Sequence, residues 1–253
     1  MNAFKTRLAA GEPLLGCWLN LASPTAAEAL AHAGFDFLVV DTEHSPADGM
    51  DLLAMLIAIG SRAAPVVRVT ENSPALVKRA LDSGCPNLVF PAVDSAAEAR
   101  AMVAAMRFPQ AGNGGTRGVA GMVRAARYGL DRDYLQHANE ATCAIVQIET
   151  AAALEQLEAI AAVDGVAALF VGPADLAASL GHLGEPAHAD VQAAITRVAQ
   201  VARAKGKAAG IFALDPQQAR DYRSRGYTLI ALAADVVWLL KGARDALASA
   251  RPA

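Results

Sequence analysis

Eight short apolar runs rich in β-branched residues recur along the 253-residue chain, and an Ala-rich amphipathic segment follows nearly every one. The runs are LLGCWLNL (14–21), FDFLVVDT (35–42), APVVRVT (64–70), NLVFPAV (87–93), TCAIVQIE (142–149), VAALFVG (166–172), KAAGIFAL (207–214) and YTLIALAA (227–234). Several intervening segments open on Ser-Pro or Asp-Pro, an N-cap followed by proline at the first helical position, and several close on glycine. Strand-then-helix repeated eight times in about 250 residues is the count and size of a (β/α)8 barrel. A doubly wound open sheet would normally place a Gly-rich dinucleotide turn after its first strand, but LNLASPTAAE contains no glycine. The expected architecture is one α/β domain over residues 1–253, a (β/α)8 TIM barrel with a loop and helix insertion at about 108–139. That insertion carries PQAGNGGTRGVAG, which lacks the spacing of a phosphate loop and is expected to act as a flap over the barrel mouth.

Composition narrows the function classes. The chain is 54% hydrophobic and 19% charged, with net charge −3, so a large core is available and no basic surface invites nucleic acid or an anionic membrane. Cys17, Cys85 and Cys143 are odd in number and widely spaced, as expected of reduced thiols in a core. The opening MNAFKTRLAAGEPLLG lacks the apolar core of a signal peptide, and no run is long enough to span a bilayer. A cytoplasmic location is the expectation.

In such barrels the working end is where the strands finish. The second run ends in Asp41-Thr42-Glu43-His44, the third carries Arg68, the fifth ends in Gln147-Ile148-Glu149, and the sixth leads into Gly172-Pro173-Ala174-Asp175. Side chains alternate along a strand, so an outward Ile148 turns Gln147 and Glu149 inward together. Glu149 and Asp175 come from consecutive strands, and two adjacent carboxylates repel unless a proton or cation lies between them. Oxygen ligands favour a hard divalent ion such as Mg²⁺ or Mn²⁺. A helix starting near Ala174 offers the amides of Ala174 and Asp175 to a carboxylate, since Pro173 has none. A Schiff-base mechanism needs a lysine at the working end. Lys5, Lys78, Lys205, Lys207 and Lys241 all fall in helical patterns or ahead of strands.

FLVVDTEHSP, PVVRV, IVQIET, FVGPADLAASLG and the RGVAG of the insertion together resemble the motifs of the 4-hydroxy-2-oxoheptanedioate aldolase family, class II pyruvate aldolases of the HpcH/HpaI type. The likeness covers essentially the whole chain. It implies a barrel, often hexameric, that reversibly cleaves 4-hydroxy-2-oxo acids to pyruvate, or hydroxypyruvate, and an aldehyde. By position, it makes Glu149 and Asp175 the metal ligands, with Co²⁺ or Zn²⁺ as further candidates beside Mg²⁺ and Mn²⁺. Gln147, Gly172, Ala174 and Asp175 would meet the substrate. Arg68 would hold the keto oxygen and offset enolate charge, and His44 would be the base. Asp82, in RALDSG, matches a residue that raises the histidine's basicity. A helix after the third strand runs back to the far end, so that contact calls for a neighbouring subunit, with Asp41 as the local alternative. Glu43 is a candidate to support the metal's water. Thr42 stands where the family often has glycine, and Phe212, in GIFALD, is bulkier than the aliphatic residue expected; both bear on the aldehyde pocket. His32, His137, His182 and His188 receive no role. The rival readings are an acyl-coenzyme A ester lyase of a related barrel group and a silent barrel that binds 2-oxo acids.

Overall fold

In the computed structural model, which describes residues 2–251, every one of the eight apolar runs forms a strand. They are β1 (Leu14–Leu19), β2 (Phe37–Asp41), β3 (Ala64–Arg68), β4 (Asn87–Phe90), β5 (Cys143–Gln147), β6 (Val166–Val171), β7 (Ala208–Ala213) and β8 (Leu229–Ala234). All pair in parallel in sequence order, and β8 closes on β1. Twelve α-helices accompany them: α1 (Ala3–Ala9), α2 (Pro24–Ala31), α3 (Gly49–Ile59), α4 (Pro74–Asp82), α5 (Ala96–Met106), α6 (Tyr134–Ala141), α7 (Ala151–Glu155), α8 (Leu157–Ala161), α9 (Pro173–Ser179), α10 (Ala189–Ala204), α11 (Pro216–Ser224) and α12 (Asp235–Ala250). Proline at the first helical position opens α2, α4, α9 and α11, as the Ser-Pro and Asp-Pro signals indicate. No helix among the described residues is long and apolar enough to cross a membrane.

The two-residue period of a strand divides the core in two. Outward residues such as Leu38, Val40, Val67, Leu88, Phe90 and Val146 pack under the helices. Inward residues Leu14, Trp18, Phe37, Val39, Val66, Val89, Ile145 and Phe170 fill the barrel itself. Room for the two inward phenylalanines comes from glycine on neighbouring strands. A Cβ on Gly16 would stand 2.4 Å from the Phe37 ring, and one on Gly210 would stand 2.5 Å from that of Phe170. At the N-terminal end of the strands, α1 inserts Phe4 and Leu8 into the same interior cluster, with the Phe4 and Phe37 rings 5.8 Å apart. That end of the barrel is plugged.

The insertion differs from expectation. Residues 107–142 hold a short 3-10 segment and α6, and none of them lines the cavity at the barrel mouth. Buried Arg117 anchors the segment instead, donating to Asp82 at 2.7 Å and to the Tyr134 hydroxyl at 2.9 Å, while Arg124 donates to the Ser83 carbonyl at 2.7 Å. Because α4 runs away from the mouth, a segment tied to its last residues sits against the barrel's flank and far end. The sequence shows Arg117 among the glycines but not the partners that tie it down.

Candidate active site

The same alternation that builds the interior brings polar groups to the mouth. Asp41 continues the inward face of Phe37 and Val39, Arg68 that of Val66, and Gln147 and Glu149 that of Ile145, while Ile148 packs outward. Asp41 and Arg68 are direct partners across β2 and β3. The Arg68 Nε donates to Asp41 Oδ1 at 2.8 Å and Nη2 to Oδ2 at 2.7 Å, a two-pronged pairing. Asn20 Nδ2 donates to the same Asp41 Oδ2 at 2.7 Å, and the guanidinium lies 4.9 Å over the Trp18 ring. Burial alone would raise Asp41 and lower Arg68, but their mutual bonds and charges outweigh it, so the carboxyl lies below and the guanidinium above its ordinary value. Arg68 Nη1 also lies 2.9 Å from Glu43 Oε2.

Glu149 is 6% exposed, and burial pushes its carboxyl up to about 7, against the Ala92 amide and with help from the Asp175 and Glu43 charges. Ala92 N–H donates to Glu149 Oε1 at 2.8 Å from a left-handed backbone of φ 44°, an unfavourable conformation for alanine held at this contact. Gln147 Nε2 donates to the other oxygen at 2.5 Å, and Gln147 Oε1 is buried with no hydrogen-bond partner. Three of these groups converge on Gly172. A Cβ there would stand 2.7 Å from Glu149 Oε2, 3.3 Å from Asp175 Oδ2 and 3.4 Å from Gln147 Nε2. Gly172 caps α9, Pro173 opens it, and Leu176 N–H takes the first helical bond to Gly172 O at 3.0 Å. The amides of Ala174 and Asp175 precede that bond, and both residues line the mouth cavity.

This cavity, of about 330 Å³, is walled by Trp18, Phe170, Phe212, Leu214 and Tyr222, with Asn20, Gln192 and Gln218 as neutral polar points. Phe212 meets Trp18 edge-on at 6.0 Å. His44 stands at the rim with its side chain 66% exposed, and its Nε2 is 3.9 Å from Glu43 Oε2. Within one chain neither expected partner reaches it, because Asp41 is committed to Arg68 and Asp82 to Arg117. No lysine lines the cavity. The three cysteines are buried and free, with thiols pushed up to about 12 chiefly by burial.

The mouth thus gathers Asp41, Glu43, Glu149 and Asp175 around one guanidinium, a surplus of negative charge. The Glu149 and Asp175 carboxylate oxygens meeting at Gly172 form an oxygen donor pair, which fits a hard divalent ion. Sequence reading identifies the strand-end residues but misses Asn20, Gln192, Gln218 and Tyr222. Asn20 lies two residues beyond inward Trp18 and was findable by period; the other three reach the mouth from helices, where no local signal marks them.

The HpcH/HpaI aldolase/citrate lyase family profile matches residues 14–241. A hydroxypyruvate/pyruvate aldolase of Paraburkholderia phytofirmans is 53% identical over 99% of this chain and 98% of its own. A 4-hydroxy-2-oxo-heptane-1,7-dioate aldolase of Salmonella dublin is 45% identical over 98% and 94% respectively. Among solved structures, an HpcH/HpaI aldolase/citrate lyase family protein from Burkholderia cenocepacia J2315 superposes with a TM-score of 0.97 at 51% identity, covering both chains in full. These matches, and a barrel mouth whose polar groups sit at the ends of β2, β3, β5 and β6, establish that the chain belongs to the HpcH/HpaI aldolase/citrate lyase family.

Proposed function

We propose that this chain is a class II, divalent-metal-dependent aldolase that reversibly cleaves 4-hydroxy-2-oxo acids to pyruvate, or hydroxypyruvate, and an aldehyde. The observation that carries the reading is the meeting of Glu149 and Asp175 at Gly172, beside Arg68 and with no lysine in the cavity. Mg²⁺ or Mn²⁺ suits the donor set, and when bound it supplies a Lewis acid for the 2-oxo group. The chain's own residues supply the rest. The Ala174 and Asp175 amides receive the substrate carboxylate, with Gly172 leaving room for the backbone to approach and Gln147 contacting the substrate. Arg68 keeps N–H groups beyond those donated to Asp41, and it donates them to the keto oxygen. His44 takes the proton from the C4 hydroxyl, the C3–C4 bond breaks, and the aldehyde leaves. The electron pair moves toward the 2-oxo oxygen, where Arg68 offsets the charge, and protonation at C3 completes pyruvate. Phe212 with Trp18 bounds the aldehyde end.

A cavity of about 330 Å³ suits a small acid better than a substrate bearing a pantetheine arm. We further propose a cytoplasmic homo-oligomer, a hexamer by family resemblance. In it Asp82 of one copy approaches His44 of the next, since Asp82 is remote from His44 within the chain. Chelation decides the central claim. EDTA should abolish pyruvate formation from a 4-hydroxy-2-oxo acid, and Mg²⁺ or Mn²⁺ should restore it. Activity that survives exhaustive chelation, or no turnover with either ion, refutes it.

A further inference from the structure

Two histidines without a role at the mouth stand together beside it. His182 follows α9, its amide bonded to the Ala177 carbonyl at 2.8 Å, and His188 caps α10. The loop between them is wound tightly, with Glu185 N–H on His182 O and His188 N–H on Glu185 O, both at 2.9 Å. This brings the two imidazoles face to face, centroids 3.5 Å apart and planes 16° from parallel. Both turn toward one carboxylate oxygen: His182 Nε2 lies 3.2 Å and His188 Nδ1 3.6 Å from Asp190 Oδ2. Among the described residues, these three form a group whose ligand atoms all lie within 4.8 Å of one another.

The hydrogen bonding fixes what the cluster lacks. His188 Nδ1 accepts from the Asp190 amide at 3.3 Å, so its ring proton is on Nε2. That nitrogen also lies 3.6 Å from Asp190 Oδ2 with no ring hydrogen between them, two acceptors brought together, and a metal on Nδ1 would take the place of the amide bond. A cation relieves that opposition.

We infer that His182, His188 and Asp190 form a second metal site, separate from the carboxylate pair at the mouth, for a borderline transition ion such as Zn²⁺, Ni²⁺ or Cu²⁺. Imidazole nitrogen selects these ions over Mg²⁺, whereas the all-oxygen pair suits Mg²⁺, so the two sites sort ions by chemistry. The rings must turn out of their stack on binding, because a metal about 2.1 Å from each nitrogen lies near both ring planes. With side chains 23% and 36% exposed, they have space to turn. Water completes the coordination. The bound ion would tie together the two ends of the loop whose Pro186 and Ala187 form part of the mouth wall.

The test uses the full chain saturated with Mg²⁺, to which one equivalent of Cu²⁺ is added for paramagnetic resonance; Zn²⁺ affinity is measured by equilibrium dialysis. The expected spectrum shows coupling to two imidazole nitrogens. His182→Gln should leave one and weaken Zn²⁺ by at least about tenfold, the scale of losing a ligand-level interaction. His188→Asn should do the same while preserving an N-cap side chain for α10. Glu149→Gln should leave the copper spectrum unchanged, which separates this site from the catalytic proposal. A spectrum without two-nitrogen coupling, or Zn²⁺ affinity unaltered in both histidine variants, overturns the inference.

Discussion

Replacing Glu149 with glutamine tests the electrostatics of the mouth most directly. In the metal-free protein burial raises this carboxyl from 4.5 to about 7. A carboxyl raised on folding binds more protons in the native than in the unfolded state between those values, so stability falls as pH rises through that window and the loss is complete above about 7. At 1.36 kcal/mol per unit, the buried charge destabilises the apoprotein by about 3 kcal/mol at pH 8. Glutamine removes the charge and keeps the shape. Its oxygen can still accept from the Ala92 amide, and rotation of the Gln147 amide brings that residue's unpartnered oxygen to the new side-chain nitrogen. Glu149→Gln should therefore melt several degrees above the parent at pH 8 in EDTA. The difference should shrink toward zero at pH 4.5, and Mg²⁺ should cease to stabilise the variant. Calorimetry across pH 4.5–8.5 reads all three. Equal melting temperatures throughout, or a variant less stable at pH 8 than at pH 5 relative to the parent, would refute the reasoning.

Other variants probe separate parts of the same arrangement. Arg68→Ala should lower kcat by at least about 100-fold, the loss of roughly 3 kcal/mol of charge stabilisation, while the protein still binds Mg²⁺ in calorimetric titration; near-normal turnover would remove Arg68 from its role. Gly172→Ala places a methyl 2.7 Å from Glu149 Oε2, so metal affinity should fall by at least about tenfold with the barrel's circular dichroism unchanged. Asp41→Ala leaves the guanidinium buried without its main partner, and should destabilise the fold by about 3–5 kcal/mol in denaturant unfolding. Metal binding below pH 7 should release close to one proton as Glu149 ionises, detectable as a buffer-dependent heat at pH 6 that disappears by pH 8.5.

Much of this arrangement is legible in the sequence. The strands and their inward faces followed from a period of two, and polar residues at strand ends could be sent to the mouth by the barrel rule alone. Three features escaped, each for a physical reason. The fork between Asp41 and Arg68 depends on register across β2 and β3, which a pattern along one strand does not encode. Arg117 stands in the Gly-rich insertion with no local sign of a partner, yet it is 3% exposed and holds the insertion to Asp82. His182 and His188 sit in a segment without periodicity, and the closeness of their rings is set by backbone turns rather than by residue type. Local rules see faces of elements; contacts between elements require the fold.

The plug formed by Phe4, Leu8 and Phe37 makes the barrel a blind alley. Under the proposed chemistry the fragment carrying the keto acid rests innermost, against Gln147 and Glu149, and the aldehyde forms nearer the rim at His44. Traffic through a dead end is last in, first out: the aldehyde departs before the keto acid can, and on the synthetic direction the keto acid has to enter ahead of the aldehyde.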